Sequence, residues 1–204
     1  MKSLRVPLLL FVLPAVVVAF ASSRHDLLLL DREAVTHGEI WRLWTGHWVH
    51  FSLSHAAWNL VALLGAGAWL EHTRPGLLGR HVLIAAPLLA TAILVFEPGL
   101  QAYGGLSGLA AGVVVLLALG EIREPGSSRF LWTGVLALVA AKIASDLSQS
   151  GPWLAHYDEP GVRTSTVAHA AGAGAALLHH FGIACLATDK KSLAPIRHPE
   201  QSEG

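Results

Sequence analysis

Gly105-Leu106-Ser107-Gly108-Leu109-Ala110-Ala111-Gly112-Val113-Val114-Val115-Leu116-Leu117-Ala118-Leu119 is an apolar run without a single charge, and its one hydroxyl, Ser107, stands near the start between glycines. Crossing ~30 Å of hydrocarbon takes ~20 residues of helix. A run this short must thin the bilayer or be shielded by neighbouring helices. Working outward, five more apolar segments flank it, at Val6–Ala21, Leu53–Leu70, Arg80–Phe96, Phe130–Leu147 and Thr166–Ala187. The expected fold is therefore all-α, a polytopic membrane bundle of six transmembrane helices.

Composition points the same way. A soluble domain carries roughly 25% charged residues. This chain of 204 has 14%, with 53% hydrophobic residues and a mean hydropathy of +0.51. That is too little charge to coat a water-facing surface. Zero net charge and no long basic run exclude a nucleic-acid partner. The single cysteine, Cys185, rules out an intrachain disulfide and is read as a small buried hydrophobe.

Basic residues fix the expected direction. Lys2, Arg5, Arg74, Arg80, Arg123, Arg129, Lys190, Lys191 and Arg197 fall on one side of the membrane, and Arg24, Arg32, Arg42 and Arg163 on the other. Both termini are thus expected in the cytoplasm, which requires an even number of spans. A cleavable signal peptide ending at Ala19-Phe20-Ala21 is the rival reading of the first segment and would leave five. Residues 1–189 are read as one membrane domain, and 190–204 as a loose polar cytoplasmic tail.

Polar groups within spans are expensive and mark functional candidates. Even-numbered spans begin at the outer face in this direction. His55 and Asn59 lie in the first two turns of the second, Ser107 in the first turn of the fourth and His169 in the first turn of the sixth. Three helices thus bring polar groups to one depth. His55 and Asn59, four apart, share a face. Gly105 permits a tight turn, and a helix start offers free N–H groups to a developing oxyanion. Gly108 and Gly112 on one helix, and His169, Gly172 and Ala176 on the other, form small-residue stripes that allow close approach.

A serine near a histidine supports acyl transfer: Ser107 attacks, His169 takes its proton and returns it to the leaving amine. The Ser107 N–H, the Asn59 amide and His55 are the oxyanion donors. Glu97 and Asp158 are read as solvated loop residues, so no carboxylate is expected to orient His169 and a dyad is favoured over a triad.

These residues resemble a family. Trp41-Arg42-Leu43-Trp44-Thr45-Gly46-His47-Trp48-Val49-His50, continuing through Ser54-His55-Ala56-Ala57-Trp58-Asn59, is similar to the first loop and second span of rhomboid intramembrane serine proteases. Gly104-Gly105-Leu106-Ser107-Gly108 resembles their nucleophile motif, and Ala168-His169-Ala170-Ala171-Gly172 their last-span histidine motif. The resemblance implies a six-helix bundle with His55, Asn59 and Ser107 at the oxyanion and His169 as base. It further implies that His50 helps hold the first loop near the cavity. Length and the Trp-Arg-Leu stretch are more similar to rhombosortases, paired with proteins bearing a C-terminal Gly-Gly sorting segment. The partners implied are the lipid bilayer and transmembrane protein substrates, the location a bacterial inner membrane. Two departures stand out: Ala111 occupies a position that is often a buttressing tyrosine, and Ala176 replaces the second glycine of a Gly-x-x-x-Gly.

Each of these residues also has a purely structural explanation. His47, His50 and His55 could suggest a metal, but zinc wants three or four convergent ligands, and no metal or cofactor is called for. His179 and His180 are read as interfacial. Lys142 and Asp146, four apart, are read as an ion pair that lowers the cost of each, against a rival in which Lys142 is the base. The alternative functions are a catalytically inactive rhomboid-like protein that binds membrane clients, and a small transporter, for which no inverted repeat is evident.

Overall fold

The computed structural model describes residues 25–51, 53–148 and 165–192. The expected first span, Asp158 and the end of the tail lie outside the described residues, and Cys185 lies where only backbone is described. Five long helices follow three short ones, α1 (His25–Leu28), α2 (Arg32–Thr36) and α3 (Arg42–Thr45). They are α4 (Leu53–Thr73), α5 (Leu77–Phe96), α6 (Ser107–Glu121), α7 (Arg129–Ser148) and α8 (Thr166–Ser192), and they match the last five expected spans. The last helix runs three residues into the stretch expected as tail. Among them α5 and α7 are long and apolar enough to cross a membrane.

Of the two remedies open to the short span, the structure takes shielding. Helix α6, at 1.5 Å per residue only ~22 Å long, is buried on nearly every side, including Leu109, Val113, Leu116 and Ala118. Helices α4, α5, α7 and α8 all pack against it. Helix α7 is the opposite case. Only Trp132 of its residues is buried, so most of its surface is left for lipid.

Pro87 lies inside α5 and lacks the N–H that would bond the Leu83 carbonyl. The Trp44 indole N–H takes that acceptor at 3.2 Å. Near it, His47 Nε2 donates to the Ala86 carbonyl at 2.9 Å. The proline thus frees one backbone acceptor, that of Leu83, on which the first loop docks.

That loop is fastened again further along. Leu30–Asp31 (β1) pairs antiparallel with Ala102–Tyr103 (β2), Leu30 opposite Tyr103. This small sheet departs from a purely helical reading. The Arg32 guanidinium donates to the carbonyls of Leu94, Glu97 and Leu100 at 2.7, 2.9 and 3.3 Å. It thereby satisfies acceptors that the end of α5 leaves open. Arg42 is buried, paired with Glu39 at 2.6 Å, and donates to the Leu29 carbonyl at 2.7 Å.

At the other end of the bundle Arg74 bridges Glu121 and Glu124 at 3.2 and 2.8 Å. Its guanidinium lies over Gly120, where a Cβ would come within 2.6 Å of Cζ. His179 is half-buried there, its Nδ1 3.2 Å from Nδ1 of buried His81, with the rings stacked.

Candidate active site

Ser107 is the first residue of α6, so its backbone N–H has no partner within the helix. The turn leading to it requires glycine. Gly105 has φ +141°, and a Cβ there would lie 2.8 Å from the His55 ring. The conformation is strained for any side chain, and the space is already filled. The Tyr103 hydroxyl donates to the Gly105 carbonyl at 2.9 Å, and the Gly105 N–H donates to the Gly46 carbonyl at 3.3 Å. The turn ahead of Ser107 is therefore held by its own β2 strand and by the first loop.

His50 completes the clamp. Its Nδ1–H donates to the Trp48 carbonyl at 2.9 Å, which leaves the lone pair on Nε2 to accept the Leu106 N–H at 3.4 Å. The ring meets His55 edge to face at 5.1 Å. Only the neutral ring can make both bonds, since a protonated Nε2 has no lone pair. Burial, and secondarily the charge His55 can carry, push His50 down to about 4. The unfolded chain, with histidine near 6.5, binds more protons than the folded one between those values. Stability from this group is complete above ~6.5 and falls as pH drops toward 4. In detergent, the thermal midpoint should decline across that window in wild type and less steeply in His50→Gln. Equal slopes would remove His50 from the account.

Helices α6 and α8 touch through their small residues. A Cβ on Gly108 would sit 2.7 Å from the Ala168 carbonyl oxygen, and one on Gly112 2.8 Å from that of Gly172. One on Gly172 would sit 2.0 Å from the Gly108 oxygen. Ser107 and His169 each adjoin the Gly108–Ala168 contact. No hydrogen bond joins their side chains, and the Ser107 hydroxyl makes none among the described residues.

His169, buried in the first turn of α8, does have a carboxylate partner. Its Nδ1–H donates to Asp146 Oδ2 at 2.8 Å. The expectation that no carboxylate is placed to orient His169 is thus overturned. The reason is the rotation of α7, which turns Asp146 inward while Leu147 beside it faces out. The expected Lys142–Asp146 ion pair is present, with Nζ 2.5 and 2.7 Å from the two carboxylate oxygens. Lys142 is committed to that pair. Glu97 also departs from its solvated reading. Its Oε2 accepts the Ser165 hydroxyl at 2.7 Å, and Ser165 Oγ accepts the Ala168 N–H at 3.0 Å, capping the helix that carries His169.

Asn59 is buried one turn beyond His55, and its Nδ2 makes no hydrogen bond among the described residues. A buried amide without an acceptor costs ~1–3 kcal/mol, and here it is a donor available to a ligand oxygen. Of His47 and His50 in the first loop and His55 in α4, His47 bonds the α5 backbone and His50 the Trp48 carbonyl, and no group of three or more potential ligands occurs among the described residues. Of the expected site residues, then, His50, His55 and Gly105 are brought into direct contact, as are Gly108 and Gly172. The sequence reading missed Tyr103 and Ser165, and it paired Asp146 with Lys142 without placing it beside His169.

Residues 37–184, well over half of the chain, match the family model of the rhomboid domain. The chain belongs to the rhomboid family. Rhomboids are intramembrane proteases, so this is a membrane protein of a family that acts on transmembrane substrates within the bilayer. The matched range begins just ahead of the Trp41–His50 loop and ends past His169, so it includes every residue of the clamp and of the α6–α8 contact in this rhomboid chain. A search of curated proteins finds no match to it.

Proposed function

We propose that this rhomboid is an active serine endopeptidase that cuts membrane-anchored proteins near the outer face of a bacterial inner membrane, with Ser107 as nucleophile and His169 as base. The observation that carries this reading is the Gly108–Ala168 contact, which brings the first turns of α6 and α8 together at the two residues concerned. Ser107 Oγ attacks the scissile carbonyl carbon as its proton passes to His169 Nε2. The oxyanion is received by the Ser107 N–H, Asn59 Nδ2 and His55. The C–N bond then breaks, and the proton on Nε2 leaves with the amine. Water repeats the sequence in reverse on the acyl-enzyme, with His169 again as base.

The same reading includes six spans and cytoplasmic termini, from the distribution of Lys and Arg, and removal of C-terminal Gly-Gly-type sorting segments, from the rhombosortase-like stretch after Trp41. Retention of Ser107, His169, His55 and Asn59 together favours an active enzyme over an inactive client-binding protein.

The test is labelling of the detergent-solubilised protein with a serine-reactive fluorophosphonate, the adduct being located by peptide mass spectrometry. An adduct on Ser107 supports the reading, and no adduct, or one elsewhere, overturns it. Co-expression with Gly-Gly-tailed clients should give processing, and none across several clients would sink the sorting role. Asn59→Ala is expected to lower turnover by ~10²–10³ while leaving KM little changed, because an oxyanion donor acts chiefly in the transition state. Comparable changes in both constants would place Asn59 in substrate binding instead.

A further inference from the structure

We propose that Asp146 is the positioning residue for His169, fixing its tautomer and ring orientation, with Lys142 as the counter-charge that makes a carboxylate tolerable there. This rests on the protease reading above. Helix α7 is otherwise the most lipid-exposed of the bundle, and most of its length needs no polar group at all. Yet it turns one carboxylate inward until that side chain is 2% exposed. A single buried charge at this depth would be costly. The Lys142 ammonium, 29% exposed, neutralises it from the same helix.

An ion pair alone does not account for the third partner. Oδ2 accepts both from Lys142 Nζ and from His169 Nδ1–H. A carboxylate can only accept, so the proton of a neutral His169 is confined to Nδ1. The lone pair then resides on Nε2, which makes no hydrogen bond among the described residues and is the atom a general base needs. When Nε2 takes a proton the ring becomes cationic, and the adjoining carboxylate compensates that charge where water cannot. No bond to Asp146 forms or breaks, and its proton count is unchanged through the cycle. The contact also links α7 to the start of α8, a connection the apolar surface of α7 barely provides.

Nitrogen-15 NMR of histidine-labelled protein in detergent tests this without relying on turnover. The His169 signals are assigned by their loss in His169→Ala. In its neutral form, wild-type His169 should show Nδ1 protonated and Nε2 bare. Asp146→Asn should raise the Nε2–H tautomer, since an amide can donate to Nδ1. In parallel, the fluorophosphonate labelling rate should fall roughly 10²–10⁴-fold in Asp146→Asn, recover in part in Asp146→Glu, and fall less than about tenfold in Lys142→Gln. A purely structural ion pair predicts instead that Lys142→Gln and Asp146→Asn are equally damaging and that the tautomer does not move. Either result overturns the proposal. Should Asp146→Asn fail to fold, the wild-type tautomer still decides, because a bare Nδ1 contradicts the contact. A wild type that shows the Nδ1–H tautomer but never labels would overturn the protease reading and not the Asp146–His169 contact.

Discussion

Ser107→Ala should abolish fluorophosphonate labelling and lower cleavage of a single-span substrate by about 10⁶-fold, and His169→Ala should do nearly as much alone. The two effects should not add. Once the nucleophile is gone the base has no proton to accept, so the double variant should be no slower than either single one. Removing either residue leaves the oxyanion donors in place, which sustain a small residual rate. The Ser107 side chain loses one atom and makes no hydrogen bond among the described residues, whereas His169→Ala also removes the bond to Asp146. The thermal midpoint of Ser107→Ala should therefore match wild type. Full activity in His169→Ala with loss in Lys142→Ala would assign the base to lysine and end the present reading.

Gly172→Ala should be the most damaging glycine-to-alanine change among the described residues. Two effects compete. Alanine is favoured over glycine in a helix by roughly 0.5–1 kcal/mol. Against this, the added carbon would stand 2.0 Å from the Gly108 carbonyl oxygen, which is backbone and cannot swing aside. Overpacking of a rigid contact costs ~1–3 kcal/mol or more, so the clash outweighs the propensity gain. Relief requires α6 and α8 to separate by more than an ångström, which would carry Ser107 away from His169. The variant should show a lowered thermal midpoint together with slowed labelling, in the same preparation. A variant as stable and as reactive as wild type would mean that the two helices are not packed as described.

The helices were legible because lipid imposes long apolar runs, and their ends were given within a few residues by charges and glycines. The close contact of α6 and α8 was legible too, since glycines at i, i+4 leave a visible groove. What could not be read is rotation. Helix α7 is apolar nearly all round, so nothing in its periodicity tells which way Asp146 points, and the carboxylate beside His169 stayed hidden. Glu97 was misjudged for a related reason: its neighbour Ser165 is remote in sequence and caps a different helix. The β1–β2 pair was invisible because two residues are too few for an alternating pattern.

That strand pair has a bearing on assembly. It joins residues some seventy positions apart, and closing so large a loop for so few hydrogen bonds is entropically unfavourable. The pairing can persist only once α4, α5 and the turn between them have already packed. The turn that carries Ser107 is consequently expected to take its shape late, and a nascent chain still assembling in the bilayer would hold Ser107 before the contacts that set its place exist.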